Sequence, residues 1–252
     1  MIYFVSDIHL GAGTPEQAKC TEHAFCRWLD MVAEDATEIY LLGDIFDFWF
    51  EHRRVVPKGF VRVLGRLAKL SDSGVRIVLF TGNHDMWSRD YLSKECGIEI
   101  YHRPEVMEIS GRKVHVAHGD NINIDNKPLL RAMNAMFRSE VLRWMFSWLI
   151  HPDLALKFGA WWSGKSRKSH GSEPITVDML GYLVDYAREH KAHNANVELY
   201  IFGHMHLAHS VAIDGAEVLF LGDWSGMKAE YGAMSEDGKV ELRDFEINET
   251  IY

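Results

Sequence analysis

The sequence predicts an α/β fold in which the strands of a buried sheet end in polar turns. Four short apolar runs lead directly into Gly, Asp or His residues, and the clearest is residues 39–42, which precede Gly43 and Asp44. Segments with helical spacing of apolar residues lie between several of these runs, as is typical of parallel sheets. The 252 residues suit one large domain with room for a small insertion.

The composition is that of an ordinary soluble globular protein, with 47% hydrophobic and 25% charged residues. The formal net charge of −9 argues against a general nucleic-acid binder. Cys20, Cys26 and Cys96 lack the spacing of a disulfide framework or a thiolate metal site, which favours reduced thiols in the cytoplasm. We expect no signal peptide, because the first apolar run reaches Asp7 at once.

The first part of the chain alternates predicted strands and helices. A strand at 2–6 leads into the Asp-x-His turn at 7–9, and residues 16–34 carry apolar side chains at helical spacing. After the strand at 39–42, a basic amphipathic helix is predicted over 55–71.

An aromatic cluster follows Asp44 and consists of Phe46, Phe48, Trp49 and Phe50. Two interpretations are open at this point: the rings pack in the core, or they line a substrate cleft. Core packing is the commoner role of such a cluster.

The middle of the chain repeats the pattern of a strand that ends in polar residues. A strand at 75–80 leads to Gly-Asn-His-Asp at 82–85, and a short helix is predicted at 91–95. A hairpin over 106–117 then leads to His118.

Residues 127–172 depart from this pattern, because they combine helical spacing with many aromatic and basic residues. We interpret the segment as a helical lid inserted into a single domain that spans 1–252, with a loop at 163–173. The charged residues and the proline between 141 and 162 exclude a membrane-spanning helix. Four tryptophans stand in the insertion: Trp144, Trp148, Trp161 and Trp162.

The last part of the chain returns to strands with polar ends. A helix is predicted over 176–190, and a strand at 198–202 leads to Gly-His-Met-His at 203–206. Further strands are predicted at 217–221 and around 239–245.

Seven side chains at these strand ends are candidate metal ligands: Asp7, His9, Asp44, Asn83, His118, His204 and His206. Each has an ordinary structural interpretation when it is taken alone. Together they offer carboxylate, imidazole and amide donors, a set that suits Mn²⁺, Fe²⁺ or Zn²⁺. Asp44 is the predicted centre, because it lies at the carboxyl end of a buried strand.

These motifs resemble those of the calcineurin-like metallophosphoesterases, and the resemblance extends from Asp7 to His206. It implies a four-layer α/β sandwich with two metal ions bridged by Asp44, which clamp the attacking and leaving oxygens of a displacement. The ligands that it implies for the first metal are Asp7, His9, Asp44 and His206. Those for the second are Asp44, Asn83, His118 and His204.

The same resemblance implies catalytic roles for Asp44, as the shared ligand, and for His84. We expect His84 to stabilise charge on the phosphoryl group or to protonate the leaving oxygen, with Asp47 or Asp85 orienting its ring. The other nine histidines match no motif position, and we expect them to be structural or surface residues.

Within the family, the chain is most similar to the pyrophosphohydrolases that cleave UDP-2,3-diacylglucosamine to UMP and 2,3-diacylglucosamine 1-phosphate in lipid A synthesis. The similarity lies in Gly-Asp-Ile-Phe-Asp-Phe-Trp at 43–49, in His-Gly-Asp-Asn-Ile-Asn-Ile-Asp at 118–125 and in the helical insertion that follows. In that branch the insertion is a lid over the acyl chains. One departure is His84, where many members of the branch carry Arg, and this difference bears on substrate specificity.

This resemblance implies a cytoplasmic enzyme that meets a lipid-linked UDP-sugar at the inner membrane surface. Its expected cofactors are two divalent metal ions, with Mn²⁺ favoured. The predicted substrate-binding residues are Asn83, His84, Asp125, Ser163, Lys165, Arg167, Lys168 and His204.

Two other functions remain open from the sequence. A metallophosphoesterase of a soluble phosphodiester, nucleotide or phosphoprotein would have little use for an exposed aromatic insertion. A binding scaffold without catalysis would be expected to lose ligands, whereas this chain keeps all seven positions and His84.

Overall fold

A computed structural model describes residues 1–122, 128–169 and 176–247 of the chain. The strands are β1 (Ile2–Val5), β2 (Glu38–Leu41), β3 (Arg76–Phe80), β4 (Glu99–Tyr101), β5 (Glu105–Ile109), β6 (Arg112–Ala117), β7 (Leu199–Phe202), β8 (His209–Ile213), β9 (Ala216–Phe220), β10 (Lys228–Met234) and β11 (Val240–Glu246). The α-helices are α1 (Pro15–Val32), α2 (Val61–Asp72), α3 (Tyr91–Cys96), α4 (Pro128–Arg138), α5 (Glu140–Leu149), α6 (Pro152–Ser169) and α7 (Gly181–His193). A short 3₁₀ helix, Val177–Leu180, precedes α7.

The first sheet has six strands in the order β11-β10-β1-β2-β3-β4. Strands β1 to β4 are parallel, with Phe4 opposite Tyr40 and Tyr40 opposite Val78. Strands β10 and β11 extend the sheet beyond β1 with antiparallel pairing. Because parallel strands end at the same edge, the turns after β1, β2 and β3 lie side by side.

The second sheet has five strands in the order β5-β6-β7-β9-β8. Its central strands β6, β7 and β9 are parallel, and the outer strands β5 and β8 are antiparallel to their neighbours. Val116 of β6 lies opposite Ile201 of β7. The residues that follow β6 and β7 therefore also emerge at one edge.

The two sheets pack face to face through a layer of apolar side chains that includes Phe4, Phe80 and Val116. Helices α1, α2 and α3 cover the other face of the first sheet, and α7 covers that of the second. Each fully buried large apolar side chain in these layers contributes about 1.5–3 kcal/mol. The four layers, helix–sheet–sheet–helix, confirm the α/β sandwich expected from the sequence.

The first two helices differ in how well local sequence predicts their start. Helix α1 begins at a capping box. The backbone N–H of Gln17 donates to Thr14 Oγ1, and the backbone N–H of Thr14 donates to Gln17 Oε1. Helix α2 begins six residues later than predicted. Pro57 disfavours helix before it, and Gly59 and Phe60 have positive φ angles of 108° and 58°, which interrupt any helix there.

The aromatic cluster after Asp44 packs in the interior, which confirms the core interpretation. Phe46 and Trp49 are buried with the residues between the first sheet and its helices. Phe50 is buried against Trp87 and Ala155, and Ala155 belongs to the inserted helix α6. This cluster therefore joins the core to the insertion.

The insertion consists of helices α4, α5 and α6 in its described part. The loop predicted over 163–173 is wrong for its first residues, because α6 continues to Ser169; residues 170–175 lie outside the described part. Ala155, Gly159 and Ser163, four residues apart, form one buried face of α6. Tertiary packing of this face overrides the weak helix propensity of the Ser/Gly-rich segment.

The inserted helices also present an exposed apolar face. We call apolar face the set of exposed side chains Val141, Leu142, Trp144, Met145, Trp148, Leu149, Leu154, Phe158, Trp161 and Trp162. Trp144 and Trp148 are each 53% exposed, so these rings are not part of the core. Among the helices of the described segments, none has the length and hydropathy required to cross a bilayer.

Strands β8 and β10 were missed by the sequence analysis. Strand β8 forms a hairpin with β9 across Asp214 and Gly215, an Asp-Gly pair that is itself a hairpin signal. Strand β10 contains Gly232 and two alanines, which have low strand propensity. It forms because β1 and β11 pair with it on both sides.

A buried imidazole, His115 of β6, makes the stability of the fold depend on pH. Its Nε2 lies 3.1 Å from the Tyr186 hydroxyl, and its ring stacks on Tyr200. Burial, with a smaller effect of His190, lowers the pKa of His115 to about 3. Below about pH 6.5 the unfolded chain binds a proton at His115, whereas the folded protein does not until the pH nears 3. The free energy of unfolding therefore keeps its full value above about pH 6.5 and falls as the pH is lowered toward 3.

We predict that the free energy of unfolding of His115→Phe falls less than that of the wild type when the pH is lowered from about 7 to about 5. The variant takes up one proton fewer on unfolding, a difference of at most about 1.4 kcal/mol per pH unit. Urea denaturation in EDTA measures it without a contribution from bound metal. Tyr186→Phe is the control, because it keeps the imidazole buried and should retain the wild-type pH dependence. Equal pH dependence in His115→Phe and wild type would contradict the assignment.

Candidate metal centre

The strand ends of both sheets bring the predicted ligands together. Asp7 and His9 follow β1, Asp44 follows β2, and Asn83 follows β3. The remaining three, His118, His204 and His206, follow β6 and β7. Side-chain donor atoms lie within 4.8 Å of one another in three groups: Asp7, His9 and His206; Asp44, His118 and His204; and His9, Asp44 and His84.

Asp44 lies at the centre of this cluster and is buried. Its Oδ1 accepts the backbone N–H of His84 at 2.9 Å, and its Oδ2 lies 3.5 Å from His118 Nε2 and 3.9 Å from His9 Nε2. Burial alone raises the pKa of this carboxyl, but the facing His118 and His84 imidazoles outweigh burial and hold the pKa well below its usual range. The centre of the cluster therefore carries a negative charge.

Two histidines are oriented by hydrogen bonds outside the cluster. His118 Nδ1 lies 2.7 Å from the carbonyl oxygen of Leu42, which can only accept, so Nδ1 carries a hydrogen and Nε2 faces Asp44. His206 Nδ1 lies 3.1 Å from Asp223 Oδ2 in the same way. Such contacts fix the ring orientation of a metal-binding histidine.

Asp223 is a site residue that the sequence analysis missed. It follows β9 after Leu221 and Gly222, which repeats the apolar-Gly-Asp pattern that precedes Asp44. That pattern could have identified it.

Asp7 is held by a second set of contacts. Its Oδ2 accepts the backbone N–H of His204 at 2.8 Å and the hydroxyl of Ser6. A side chain at Gly203 would overlap Ser6, so glycine is required for this approach. The other carboxylate oxygen, Oδ1, lies 3.6 Å from His206 Nε2 and faces the cluster.

Several buried polar atoms of the cluster have no hydrogen-bond partner among the described residues: Asp7 Oδ1, both ring nitrogens of His9, Asn83 Oδ1 and His118 Nε2. Leaving a buried polar atom unpaired costs about 1–3 kcal/mol. Divalent cations would satisfy these atoms together, and the oxygen and nitrogen donors suit such ions without any thiolate. The described residues therefore fit the metal ions that the motifs imply.

The electrostatics of the cluster also favour added positive charge. Burial lowers the pKa of His118, but Asp44 and then Asp7 outweigh it and raise the pKa to about 10. Burial likewise lowers the pKa of His206, and Asp7 and Asp223 raise it to about 9. A divalent cation that binds these histidines must displace their protons. The affinity of the cluster for divalent cations should therefore fall at low pH.

The backbone is strained at most of the candidate ligands. Five of them have φ angles between 49° and 69°, a left-handed conformation that costs a non-glycine residue about 1–3 kcal/mol: Asp7, His9, Asp44, His204 and His206. Neighbouring turns hold this geometry, since Asp7 N donates to Gly43 O and His9 N donates to Asp44 O. The strain aims these side chains at a common point.

A close approach between the turns after β2 and β3 completes the cluster. A Cβ at Gly82 would overlap Asp44 Oδ1, so only glycine fits there. Asp85 joins the same turns, since its carboxylate accepts from Gly82 N at 2.7 Å and from Ile45 N at 2.9 Å. Burial and the nearby Asp44 raise the pKa of Asp85 to about 6. In the structure Asp85 thus holds the turns together and forms no hydrogen bond with His84.

His84 faces the cluster from the side of β3. Its Nε2 lies 3.9 Å from Asp44 Oδ2. On the opposite side of the ring, Nδ1 lies 2.7 Å from the carbonyl oxygen of Asp47 and 3.0 Å from Ser163 Oγ. Of the two carboxylates expected to orient this ring, Asp47 contacts it, but through its backbone carbonyl.

The structure places some of the predicted substrate-binding residues beside the cluster. His84 and His204 belong to it, and Ser163 is buried next to His84. Asn83 precedes His84 in the turn after β3, and its buried Oδ1 has no hydrogen-bond partner among the described residues. Asp125 lies outside the described part of the chain. Lys165, Arg167 and Lys168 belong to helix α6, but their side chains also lie outside the described part. For all eight residues, substrate contact stays a prediction.

Comparison with known proteins agrees with the motifs and the fold. The family model described as calcineurin-like phosphoesterase matches residues 1–208. A UDP-2,3-diacylglucosamine hydrolase of Porphyromonas gingivalis is 39% identical over 236 residues, with 88% of this chain and 90% of that protein covered. A hydrolase of the same name from Neisseria gonorrhoeae is 30% identical over 242 residues, with 94% of this chain and 95% of that protein covered.

The family match covers most of the chain and includes all seven candidate ligands and His84. Relatives named as hydrolases align over nine-tenths of their own length. The chain therefore belongs to the calcineurin-like phosphoesterase family and is a metal-dependent hydrolase of phosphoric esters or anhydrides.

Proposed function

We propose that this protein cleaves the pyrophosphate of UDP-2,3-diacylglucosamine to UMP and 2,3-diacylglucosamine 1-phosphate, a step of lipid A biosynthesis. The names of the relatives described above support this substrate. The structural observation that carries the proposal is the apolar face on α5 and α6, because α6 also reaches His84 through Ser163. A diacyl substrate needs an apolar surface beside a site for its diphosphate.

Two divalent cations are the proposed cofactors, with Mn²⁺ as the favoured ion and Fe²⁺ or Zn²⁺ as alternatives. Such ions neutralise charge on phosphoryl oxygens and lower the pKa of water. The proposed ligands of the first ion are Asp7, His9, Asp44 and His206. Those of the second are Asp44, Asn83, His118 and His204.

The contribution of His84 follows from its hydrogen bonds. Its Nδ1 hydrogen is directed to the carbonyl oxygen of Asp47, so Nε2 is the atom that faces Asp44 and the reacting diphosphate. When the ring is protonated at both nitrogens, the hydrogen on Nε2 can stabilise charge on a phosphoryl oxygen or pass to the leaving oxygen, which leaves a neutral ring with its hydrogen on Nδ1. Because a phosphomonoester leaves readily, charge stabilisation is the larger of the two contributions.

We also propose that the insertion is a lid that holds the acyl chains and touches the inner membrane surface from the cytoplasm. Large exposed apolar side chains gathered in one segment in this way are typical of an interaction site. The guanidinium of Arg53 lies 3.8 Å from the centroid of the Trp148 ring, so a cation stands at the border of the apolar face. Apolar side chains can then enter the acyl boundary while basic groups meet anionic headgroups. Asp125, Lys165, Arg167 and Lys168 are proposed to contact the sugar or its phosphates.

A soluble phosphodiester, nucleotide or phosphoprotein is the alternative substrate, but it would leave the apolar face without a role. A thin-layer assay of the purified protein with UDP-2,3-diacylglucosamine beside bis-p-nitrophenyl phosphate separates the two. Release of UMP with a much higher kcat/KM than for the diester supports the lipid substrate. Turnover of the diester alone would reject it.

We predict that Asp44→Ala abolishes turnover and lowers the metal content per chain, because this carboxylate is shared between both sets of ligands. Elemental analysis after dialysis measures the metal, and circular dichroism checks that the fold is retained. Asp30→Asn is the matched control, since Asp30 is an exposed carboxylate that pairs with Arg66 on the surface. Near-normal turnover of Asp44→Ala with Mn²⁺ would disprove the dinuclear assignment.

We predict that His84→Ala lowers kcat by roughly 10²–10⁴, toward the low end because the leaving group needs little protonation. Metal content should stay unchanged, since His84 is assigned to the substrate. His193→Ala, at the exposed end of α7, serves as the histidine control. If His84→Ala lost metal, His84 would have to be reassigned as a ligand.

We predict that the triple variant Trp144→Ser, Trp148→Ser and Leu149→Ser loses roughly tenfold or more in kcat/KM on the lipid substrate in vesicles. Turnover of bis-p-nitrophenyl phosphate should change less than about twofold, because these side chains are exposed and outside the metal centre. Val61→Ser combined with Met227→Ser removes exposed apolar side chains elsewhere and is the control. Equal losses on both substrates would show that the apolar face supports the fold and does not bind lipid.

A further inference from the structure

Helix α6 meets the segment after Asp44 through its buried face of small residues. Ala155, Gly159 and Ser163 lie four residues apart and so point in the same direction. A Cβ on Gly159 would overlap the ring of Phe48, which shows that the helix backbone lies directly on this ring. The close packing brings the next turn of α6, with Ser163, to His84.

The hydrogen bonds of Ser163 have a definite direction. Its Oγ lies 2.6 Å from Asp47 Oδ1 and 3.0 Å from His84 Nδ1. Because a carboxylate accepts, the hydroxyl hydrogen is donated to Asp47, and the hydroxyl oxygen is left to accept. The hydrogen on His84 Nδ1, already directed to the carbonyl of Asp47 at 2.7 Å, is shared with that oxygen.

The Ser163 hydroxyl lies between the carboxylate of Asp47 and the ring of His84. Asp47 Oδ1 lies 3.9 Å from His84 Nδ1, which is beyond hydrogen-bond distance. With Ser163 between them, the carboxylate acts on the ring through one intervening O–H. Without Ser163, the ring keeps only the backbone carbonyl as a partner for Nδ1, and its Cβ–Cγ torsion is one of the broad, weakly restricted kind.

We propose that Ser163 is a positioning residue that links the carboxylate of Asp47 to His84 Nδ1 and so directs Nε2 at the reacting phosphoryl group. This assignment rests on the hydrolase function proposed above and deepens it. It differs from the substrate contact that the sequence predicts for Ser163, because the hydroxyl is engaged by protein groups. The insertion then contributes to the chemistry as well as to lipid binding.

A double-mutant cycle tests the assignment. Ser163→Ala is measured in the wild type and in His84→Ala, with UDP-2,3-diacylglucosamine and with bis-p-nitrophenyl phosphate. We expect Ser163→Ala alone to lower kcat roughly 10–100-fold on both substrates, with KM changed less than about twofold. In the His84→Ala background it should change kcat less than about twofold, because the group that it positions is gone.

A nuclear magnetic resonance measurement provides a readout that is independent of turnover. In ¹⁵N-histidine-labelled protein loaded with diamagnetic Zn²⁺, Ser163→Ala should shift the Nδ1 resonance of His84 and broaden its attached hydrogen through faster exchange. Ser147→Ala is the matched control, since Ser147 is a buried serine of the insertion whose hydroxyl donates to Trp144 O within its own helix. It should leave both the kinetics and the His84 resonances unchanged.

The outcomes separate this inference from the proposed function. A loss confined to the lipid substrate that persists in His84→Ala would make Ser163 a substrate contact and overturn the assignment. Unchanged His84 resonances in Ser163→Ala would also overturn it. If the protein fails to cleave the lipid but the cycle on the diester shows the expected coupling, the lipid function is rejected and the positioning role of Ser163 stands.

Discussion

The buried negative charge of Asp44 is the constraint on which the rest of the structure depends. An ionised carboxylate without water is very costly unless it is paired, so polar groups from other strand ends must surround it. His9, His84 and His118 supply them, and they come from three different strands of two sheets. Parallel strands make this convergence feasible, because their ends share an edge. The left-handed turns and the glycine at 82 are the local geometry that the convergence requires.

The insertion is the second organising element, and its two faces have opposite chemistry. The buried face of α6 carries the small residues Ala155, Gly159 and Ser163, so the helix approaches Phe48 closely and places Ser163 at His84. The outward side of the insertion carries large apolar rings such as Trp148, which is 53% exposed and contacts the Arg53 guanidinium and the Trp144 ring. The insertion therefore reaches both His84, the proposed catalytic histidine, and the surface proposed to bind lipid. Changes on the exposed side should leave the buried side in place, whereas deletion of the whole insertion would also remove Ser163.

The sequence by itself determined the family, the four-layer fold and the position of the candidate ligands along the chain. The reason is that each signal is local: an apolar run of strand length followed by Gly-Asp, Gly-Asn-His or Gly-His places polar side chains at a strand end. The order of these signals is enough to identify a calcineurin-like phosphoesterase, and the family match confirms it. The ligand roles, the lid and the substrate contacts stay predictions, because neither the fold nor the relatives test them.

Only the tertiary structure decided which residues support these ligands and where weak elements form. Asp223 lies 17 residues from His206, and Ser163 lies 116 residues from Asp47, so their hydrogen bonds have no signature at any fixed spacing. The last turns of α6 and strand β10 are also not predictable from local sequence, because their residues favour other conformations. Their neighbours in space supply the missing stabilisation, because packing and strand pairing contribute more than the small intrinsic preferences of single residues.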